Sequence, residues 1–474
     1  GAGNAAHLPD REARRRRGTP FSVYEFDMAS FGDFQTAAAD LPERVKALGF
    51  TSVEFRPSDR GSNSLFAPDW RYGTPEELRA LTAAFHEKGL EVIFRWDPSR
   101  FDRSASGLQQ FGLAPTYESA DPLRSDTPDG KALYFDLGNK RVSNYLLCAA
   151  LYYVEQLHAD GLFFDDLSPM LYLDYDRQES GYTPNLYGGV ENLDAVEFLK
   201  HLHSILQKRD AGAVSIAQLS SAWTSVTGRV EDDTLGFTFL MHGGWLQAHR
   251  QYLSCDPLFR RGAHNLLLED LLYQYMENYI LPLPDSAAGP GMSALLGGFH
   301  GDEKARLSAL RLFLSLMMVH PGAKLMNLGE THRSLAGGEG RGELAPVDRM
   351  VKDLHALYRA QPALHQNDTR PDSFEWIRQM ANDHCVLCAL RRGSRPAEFL
   401  IIAVNGSGSD WQEEIGVPYA GGYQEIFNSE AKAYGGGAAV PRAARRASEK
   451  ETDGRAYTVQ LSLPASSVTI YQYV

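Results

Sequence analysis

Cysteine and long apolar runs are both scarce in this sequence, and each shortage excludes a class of protein. Four cysteines among 474 residues are too few for a secreted scaffold held together by disulfides. No apolar run approaches the length of about 18 residues that a membrane-spanning helix requires. The polar, arginine-rich start lacks the apolar segment of a signal peptide. We therefore expect a cytoplasmic protein with reduced, buried thiols and no membrane partner.

Positive charge is also in deficit, because 47 lysine and arginine residues face 60 aspartate and glutamate residues. The resulting net charge of −13 argues against nucleic acid as a partner, whereas a neutral ligand is compatible with it. His242, His264, His300 and His320 are scattered without metal-ligand spacing, and the glycine-rich runs lack the context of a phosphate-binding loop. We expect no metal and no cofactor.

One pair of cysteines has a spacing that is typical of metal and redox sites. Cys385 and Cys388 form a C-x-x-C motif within the segment 384–390, which we predict to be a β-strand. Positions three apart in a strand point to opposite faces. We therefore interpret this pair as buried structural thiols.

Short apolar runs alternate with amphipathic helical stretches from about residue 21 to residue 328, a pattern that predicts a parallel β/α architecture. The predicted strands are 21–26, 52–55, 91–95, 162–165, 214–217, 236–239, 279–282 and 324–326. Eight such units predict an α/β fold of the (β/α)₈ TIM-barrel type. From about residue 370, alternating strands with glycine-rich turns predict a C-terminal antiparallel β-sandwich. The predicted domains are thus a flexible basic N-terminal tail at 1–20, a barrel at 21–368 and the β-sandwich at 369–474.

Several short segments carry a resemblance to a known family. They are 65–68 with 71–74, 142–144, 184–185 with 188–189 and 191–193, 244–245, 256–257, Tyr275 with 277–278 and 281–283, 320–322, 415–418 and 433–436. In register over nearly the whole chain, they resemble bacterial glycogen (1,4-α-glucan) branching enzymes of the α-amylase-type glycoside hydrolase superfamily. The resemblance begins at the first barrel strand, so we expect the family's N-terminal carbohydrate-binding β-sandwich to be absent.

The family resemblance implies retaining transglycosylation by three carboxylates, namely a nucleophile, an acid/base and a transition-state stabiliser. Asp165 matches the nucleophile at the end of the fourth strand. Gln218 stands at the acid/base position after the fifth strand, and an amide has no proton to give to a leaving oxygen. Ser286 stands at the third carboxylate position, and a neutral hydroxyl stabilises an oxocarbenium ion less than a carboxylate does.

Further positions of the implied site are also replaced. Phe163 stands where the family has the arginine that orients the nucleophile, so we expect that cation to be lost. Arg95 and Arg100 replace an aspartate and a histidine after the third strand, and Asp285 replaces the histidine that precedes the third carboxylate. Asp97 and Asp166 are additional carboxylates at the strand ends, and we expect Arg–Asp ion pairs to fill the vacated pocket.

These replacements favour a pseudoenzyme that binds α-glucan or another protein of glycogen metabolism in a scaffold or regulatory role. Two alternatives remain open. One is an active branching enzyme or weak glycoside hydrolase with a divergent site, in which Asp165 attacks and Asp97 or Asp285 protonates. The other is a protein-interaction module without sugar binding. Five aromatic residues are candidates for stacking on sugars, although each is expected to be a core residue: Trp70, Tyr72, Trp223, Trp245 and Trp376.

Overall fold

The eight predicted β/α units form a closed barrel of parallel strands, which confirms the predicted fold class. The computed structural model describes residues 18–58, 65–103, 108–110, 114–177, 181–210, 212–269, 271, 273–283, 291–329, 341–379, 384–441 and 443–474. The barrel strands are β1 Ser22–Glu25, β2 Ser52–Phe55, β3 Glu91–Trp96, β4 Gly161–Phe164, β5 Val214–Ala217, β6 Phe239–Met241, β7 Tyr279–Leu283 and β8 Ala323–Met326. Each strand pairs with its neighbour in chain order, and β8 pairs with β1.

The barrel strands are buried on both faces, which explains why they read as near-continuous apolar runs. Every residue of β1, β2, β4, β5 and β8 is buried. The charged residues within them therefore lie inside the protein. Glu54 of β2, for example, is fully buried.

The helices carry local signals that define their ends. The helix at Pro75–Glu87 has a capping box, in which Thr74 accepts a hydrogen bond from the Glu77 backbone N–H and the Glu77 carboxylate accepts one from the Thr74 backbone N–H. Gly89 follows with a φ of +69°, a conformation that favours glycine and terminates the helix. The helices are α1 Phe34–Leu48, α2 Pro75–Glu87, α3 Pro122–Ser125, α4 Lys140–Glu155, α5 Ser168–Leu171, α6 Leu193–Arg209, α7 Gly243–Ser254, α8 Gly291–Gly298, α9 Glu303–Val319 and α10 Arg341–Ala360.

The C-terminal residues form two antiparallel sheets, as predicted. Their strands are β9 Phe374–Arg378, β10 Val386–Arg392, β11 Phe399–Asn405, β12 Trp411–Val417, β13 Gly422–Asn428, β14 Arg445–Arg446, β15 Ser448–Thr452, β16 Arg455–Leu463 and β17 Ser467–Tyr473. The six-stranded sheet has the order β9-β10-β11-β17-β13-β14, and the three-stranded sheet has the order β12-β16-β15. Side chains from both sheets share one hydrophobic core.

Contacts between Cα atoms divide the chain into two compact units. Among the described residues, the first consists of 26–46 and 51–241, and the second consists of 18–25, 47–50 and 242–474. The first unit contains β2 to β6 and every side chain of the candidate site described below. The predicted domain boundaries at residues 20 and 368 stay predictions.

Two local predictions differ from the structure. The sixth strand begins at Phe239 instead of residue 236, and Gly236 has a φ of +94°, a conformation that lies outside the strand region. Cys385 precedes β10 with a φ of +53°, so it does not belong to the predicted strand. The prediction of buried thiols is also wrong for Cys148, which is exposed on α4, whereas Cys385 and Cys388 are buried.

Two features are absent from the described part of the chain. Within it, no helix is long and apolar enough to cross a membrane. The same residues include no group of three or more His, Cys, Asp or Glu arranged to hold a metal ion.

Candidate active site

The candidate site is a layer of polar side chains at the carboxyl ends of four consecutive strands. Arg95 of β3 pairs in register with Phe163 of β4, which pairs with Ile216 of β5. Strand residues alternate between faces, so the next positions on this same face follow two residues later. They are Asp97, Asp165 and Gln218. Arg56 lies on the same face of β2, two residues after Glu54, which pairs in register with Ile93 of β3. Catalytic groups of TIM barrels come from this end of the strands.

Asp165 is held between two guanidinium groups. Arg56 Nη2 donates a hydrogen bond to Asp165 Oδ2. On the other side, Arg95 Nη1 lies 3.8 Å from Asp165 Oδ1. Phe163 stands where the family has its orienting arginine, and arginines from the two preceding strands lie beside Asp165 in this structure. The expected Arg–Asp ion pairs do form.

Arg95 is fixed by contacts on two other sides. Its Nε and Nη2 donate to Glu54 Oε1 and Oε2 at 2.8 and 3.0 Å, which forms a bidentate pair with a fully buried carboxylate. Its guanidinium also lies over the Phe163 ring, with 4.4 Å between Cζ and the ring centroid. The in-register pairing of Arg95 with Phe163 makes this stacking possible.

Asp97 is a second carboxylate beside Asp165. It follows β3, and the Asp165 backbone N–H donates to the carbonyl of Trp96 at 3.0 Å, which continues the β3–β4 pairing to this point. Burial raises the pKa of Asp97, and the nearby charge of Asp165 raises it further, although hydrogen bonds from Ser99 and the charge of Arg100 oppose the shift. The Ser99 N–H and Oγ donate to Asp97 Oδ1 at 3.0 and 2.5 Å, and Arg100 Nε lies 3.5 Å from Oδ2.

Gln218 follows β5, where the family resemblance places the acid/base. Its backbone N–H donates to the carbonyl of Phe164 at 3.1 Å, and its carbonyl accepts from the Leu167 N–H at 2.9 Å. The loops after β4 and β5 are thereby joined through the main chain. The position is well defined, but its side chain is an amide.

Asp166 links the same two loops and does not join the ion pairs around Asp165. Its Oδ1 accepts from the N–H groups of Ser168 and Ser220, each at 3.1 Å. Its Oδ2 accepts from Ser220 Oγ at 2.7 Å and from Tyr175 Oη at 3.3 Å. These contacts tie the loop after β4 to the loop that carries Gln218. Asp285 and Ser286 lie outside the described residues.

Sequence reasoning missed two charged members of this site. Arg56 was not considered, and Glu54 was read only as part of a strand. The sequence did contain a signal for both residues. They are two positions apart and therefore lie on the same face at β2, and a charged residue in a buried strand requires a partner. The identity of that partner could not be read from sequence, because Arg56 and Asp165 lie 109 positions apart.

The fold is that of α-amylase-type proteins. Residues 376–474 match the family model of the all-β C-terminal domain of α-amylases. The structure is similar to the α-amylase of Geobacillus thermoleovorans, with a TM-score of 0.65 and 14% identity over 96% of this chain and 98% of that one. It is similar to a maltogenic α-amylase of Thermotoga neapolitana, with a TM-score of 0.65 and 13% identity over 96% of this chain and 99% of that one. At these identities the likeness concerns the fold.

The sequence relatives point to one family among the α-amylase-type proteins. The chain is 35% identical to the 1,4-α-glucan branching enzyme of Paramagnetospirillum magneticum, covering 99% of this chain and 67% of the relative. It is also 35% identical to that of Rubrobacter xylanophilus, covering 96% of this chain and 68% of the relative. The chain therefore belongs to the 1,4-α-glucan branching enzyme family and spans about two thirds of the length of these members.

Proposed function

We propose that this protein is a non-catalytic, α-glucan-binding member of the branching enzyme family, with a scaffold or regulatory role in glycogen metabolism. The observation that carries the proposal is Gln218 at the end of β5. An amide can neither protonate the leaving glucan oxygen nor later deprotonate the acceptor hydroxyl. General acid–base catalysis contributes roughly 10²–10⁴-fold to such reactions, so its loss leaves a barrier that the remaining groups do not offset.

The surroundings of Asp165 support the same proposal. A nucleophilic carboxylate must present a free oxygen to the anomeric carbon, and both Asp165 oxygens face a guanidinium. The sequence also places Ser286 where the family has its third carboxylate, so stabilisation of the developing positive charge is weakened.

Binding of α-glucan is supported by aromatic side chains on the surface of the first unit. Trp70 is 86% exposed and Tyr187 is 82% exposed, which is unusual for side chains of this size. Both can stack on the apolar faces of glucose units. Of the aromatic residues considered above, Trp245 is instead fully buried and belongs to the core. Glycogen, or a protein that acts on glycogen, is the proposed partner.

A second candidate is an active α-glucan branching enzyme, or weak glycoside hydrolase, with a divergent site. Two observations favour it. The 1,4-α-glucan branching enzymes of two bacteria are each about one third identical to this protein over nearly the whole chain. In addition, Asp97 lies on the strand next to Asp165, and burial raises its pKa, which is what a proton donor needs. Retaining enzymes place their two carboxyl groups about 5–5.5 Å apart, a separation that neighbouring strands can supply.

An amylose assay separates the two candidates. Wild-type protein, Asp165→Ala and Asp97→Asn are incubated with amylose, and the iodine stain and the number of α-1,6 branches are measured. The proposal expects the same background in all three and retardation of the wild type by glycogen in a native gel. Wild-type branching that is lost in both variants would refute the proposal and support the divergent enzyme.

The binding part of the proposal has its own test. We expect Trp70→Ala to reduce the retardation by glycogen, whereas Tyr72→Phe in the same segment leaves it unchanged. A wild-type protein that glycogen does not retard, and that co-purifies with one other protein, would instead indicate the protein-interaction module.

A further inference from the structure

We propose that Arg56 is the residue that blocks access to Asp165. This inference rests on the proposed function, because it explains why a retained carboxylate is inactive toward glucan in the wild type. It concerns a residue that the resemblance to branching enzymes does not include among the implied catalytic groups. All residues involved belong to the first unit.

The two arginines at Asp165 differ in how firmly they are held. Arg95 is fixed by the bidentate pair with Glu54 and by its stacking on Phe163, and its Nη1 remains 3.8 Å from Asp165. Among the residues that the structure describes, the Arg56 side chain makes its hydrogen bond to Asp165 alone. Arg95 is thus the cation that is held in place beside Asp165 and positions its carboxylate. Arg56 is a second cation at Asp165, and positioning the carboxylate does not require it.

The position of Arg56 makes it an obstacle. It follows Phe55 at the carboxyl end of β2, on the same face as Glu54, and reaches across β3 to the oxygen of Asp165 on β4. The side chains of Arg56 and Asp165 are only 17% and 13% exposed, so little solvent screens the pair. A glucosyl carbon must come within about 3–3.5 Å of the attacking oxygen, and the Arg56 guanidinium already lies within that range of Oδ2.

The missing proton donor can be bypassed so that access to Asp165 is measured by itself. Fluoride leaves a glycosyl fluoride without being protonated, so Gln218 is no obstacle to the first step. An Asp165 oxygen would attack C1 of α-maltosyl fluoride, forming the C1–O ester bond as the C1–F bond breaks and fluoride departs as an anion. Because Gln218 cannot activate water either, the maltosyl ester would persist and be detectable by mass.

The experiment compares wild type, Arg56→Leu, Arg56→Lys and the double variant R56L/D165N with α-maltosyl fluoride. Fluoride release and the intact mass are followed, and peptide mapping locates the ester. We expect Arg56→Leu to be labelled at Asp165 about tenfold faster than wild type or more. A tenfold change in rate corresponds to about 1.4 kcal/mol of activation free energy. Arg56→Lys, which keeps the positive charge, should stay near the wild-type rate, and R56L/D165N should not be labelled.

Equal labelling rates for wild type and Arg56→Leu, or an ester at another residue, would overturn the inference. Circular dichroism checks that each variant is folded, and Arg56→Met serves as a second neutral variant if Arg56→Leu is not. Branching by the wild-type protein in the amylose assay would refute the proposed function instead, so the two failures are distinguishable.

Discussion

Replacing Arg95 with methionine removes the bidentate ion-pair partner of Glu54 while preserving most of the side-chain volume over Phe163. Glu54 is fully buried, Arg95 is 16% exposed, and their two hydrogen bonds measure 2.8 and 3.0 Å. Breaking a buried ion pair by removing one partner costs about 3–5 kcal/mol, since the other charge stays buried. We expect Arg95→Met to lower the free energy of unfolding by that amount at pH 7.

The double variant E54L/R95M distinguishes two causes of lost stability, the unpaired buried charge of Glu54 and the lost packing of the Arg95 side chain. Replacing both partners of a buried pair with apolar residues is often neutral or stabilising, so we expect the double variant to recover to within about 1 kcal/mol of wild type. Glu54→Leu alone should cost less than Arg95→Met, because Arg95 still has Asp165 at 3.8 Å.

The assay is urea unfolding followed by far-ultraviolet circular dichroism, with midpoint and slope compared between variants. Arg209→Met is the matched control, since the same substitution breaks the ion pair of Arg209 with Glu155, whose side chains are 56% and 35% exposed. An exposed pair contributes about 0–1 kcal/mol. Equal costs for Arg95→Met and Arg209→Met, or a double variant no more stable than Arg95→Met, would refute the reasoning.

Three further predictions concern buried groups elsewhere in the chain. Burial lowers the pKa of His203 to about 4. The unfolded state therefore binds the proton first, and the free energy of unfolding falls as the pH drops from about 6.5 to 4. We expect His203→Leu to remove about 3 kcal/mol of that pH dependence, measured from urea unfolding midpoints at each pH. Burial lowers the pKa of Lys324 to about 7. We therefore expect wild type to gain stability relative to Lys324→Met as the pH rises from 7 toward 10. A difference in calorimetric melting temperature that does not change with pH would contradict this. A Cβ at Gly161 would overlap the Val214 carbonyl oxygen, so Gly161→Ala should cost about 1–3 kcal/mol in urea unfolding, and an unchanged midpoint would count against the close approach of β4 and β5.

The barrel could be predicted because its signals are local. Parallel strands buried on both faces read as apolar runs, and the residues around 52–55 and 214–217 coincide with β2 and β5. The predicted start of the sixth strand was wrong because Gly236 has a positive φ, a conformation that glycine can adopt but that the sequence does not specify. The resemblance to branching enzymes supplied the alignment of Asp165 and Gln218 with catalytic positions, which composition and periodicity do not contain.

The contacts of the site were less predictable than its position. Phe163 suggested the loss of a cation, yet Arg56 and Arg95 both reach Asp165. Asp166 follows Asp165 in the chain, yet it bonds to Ser220 on the next loop. Which of several nearby charges pair depends on strand register and side-chain direction, and neither is written in residue spacing.

The order of amino acids determined the strands, their burial and the chemical groups at their ends, because each depends on a short stretch of chain and its apolar pattern. It also determined that an amide stands at position 218. Only the tertiary structure decided that Arg56 and Arg95 meet Asp165 and that Phe163 supports Arg95. Closing the barrel brings residues more than one hundred positions apart within ångströms of each other, and electrostatic interactions depend on that distance and on burial.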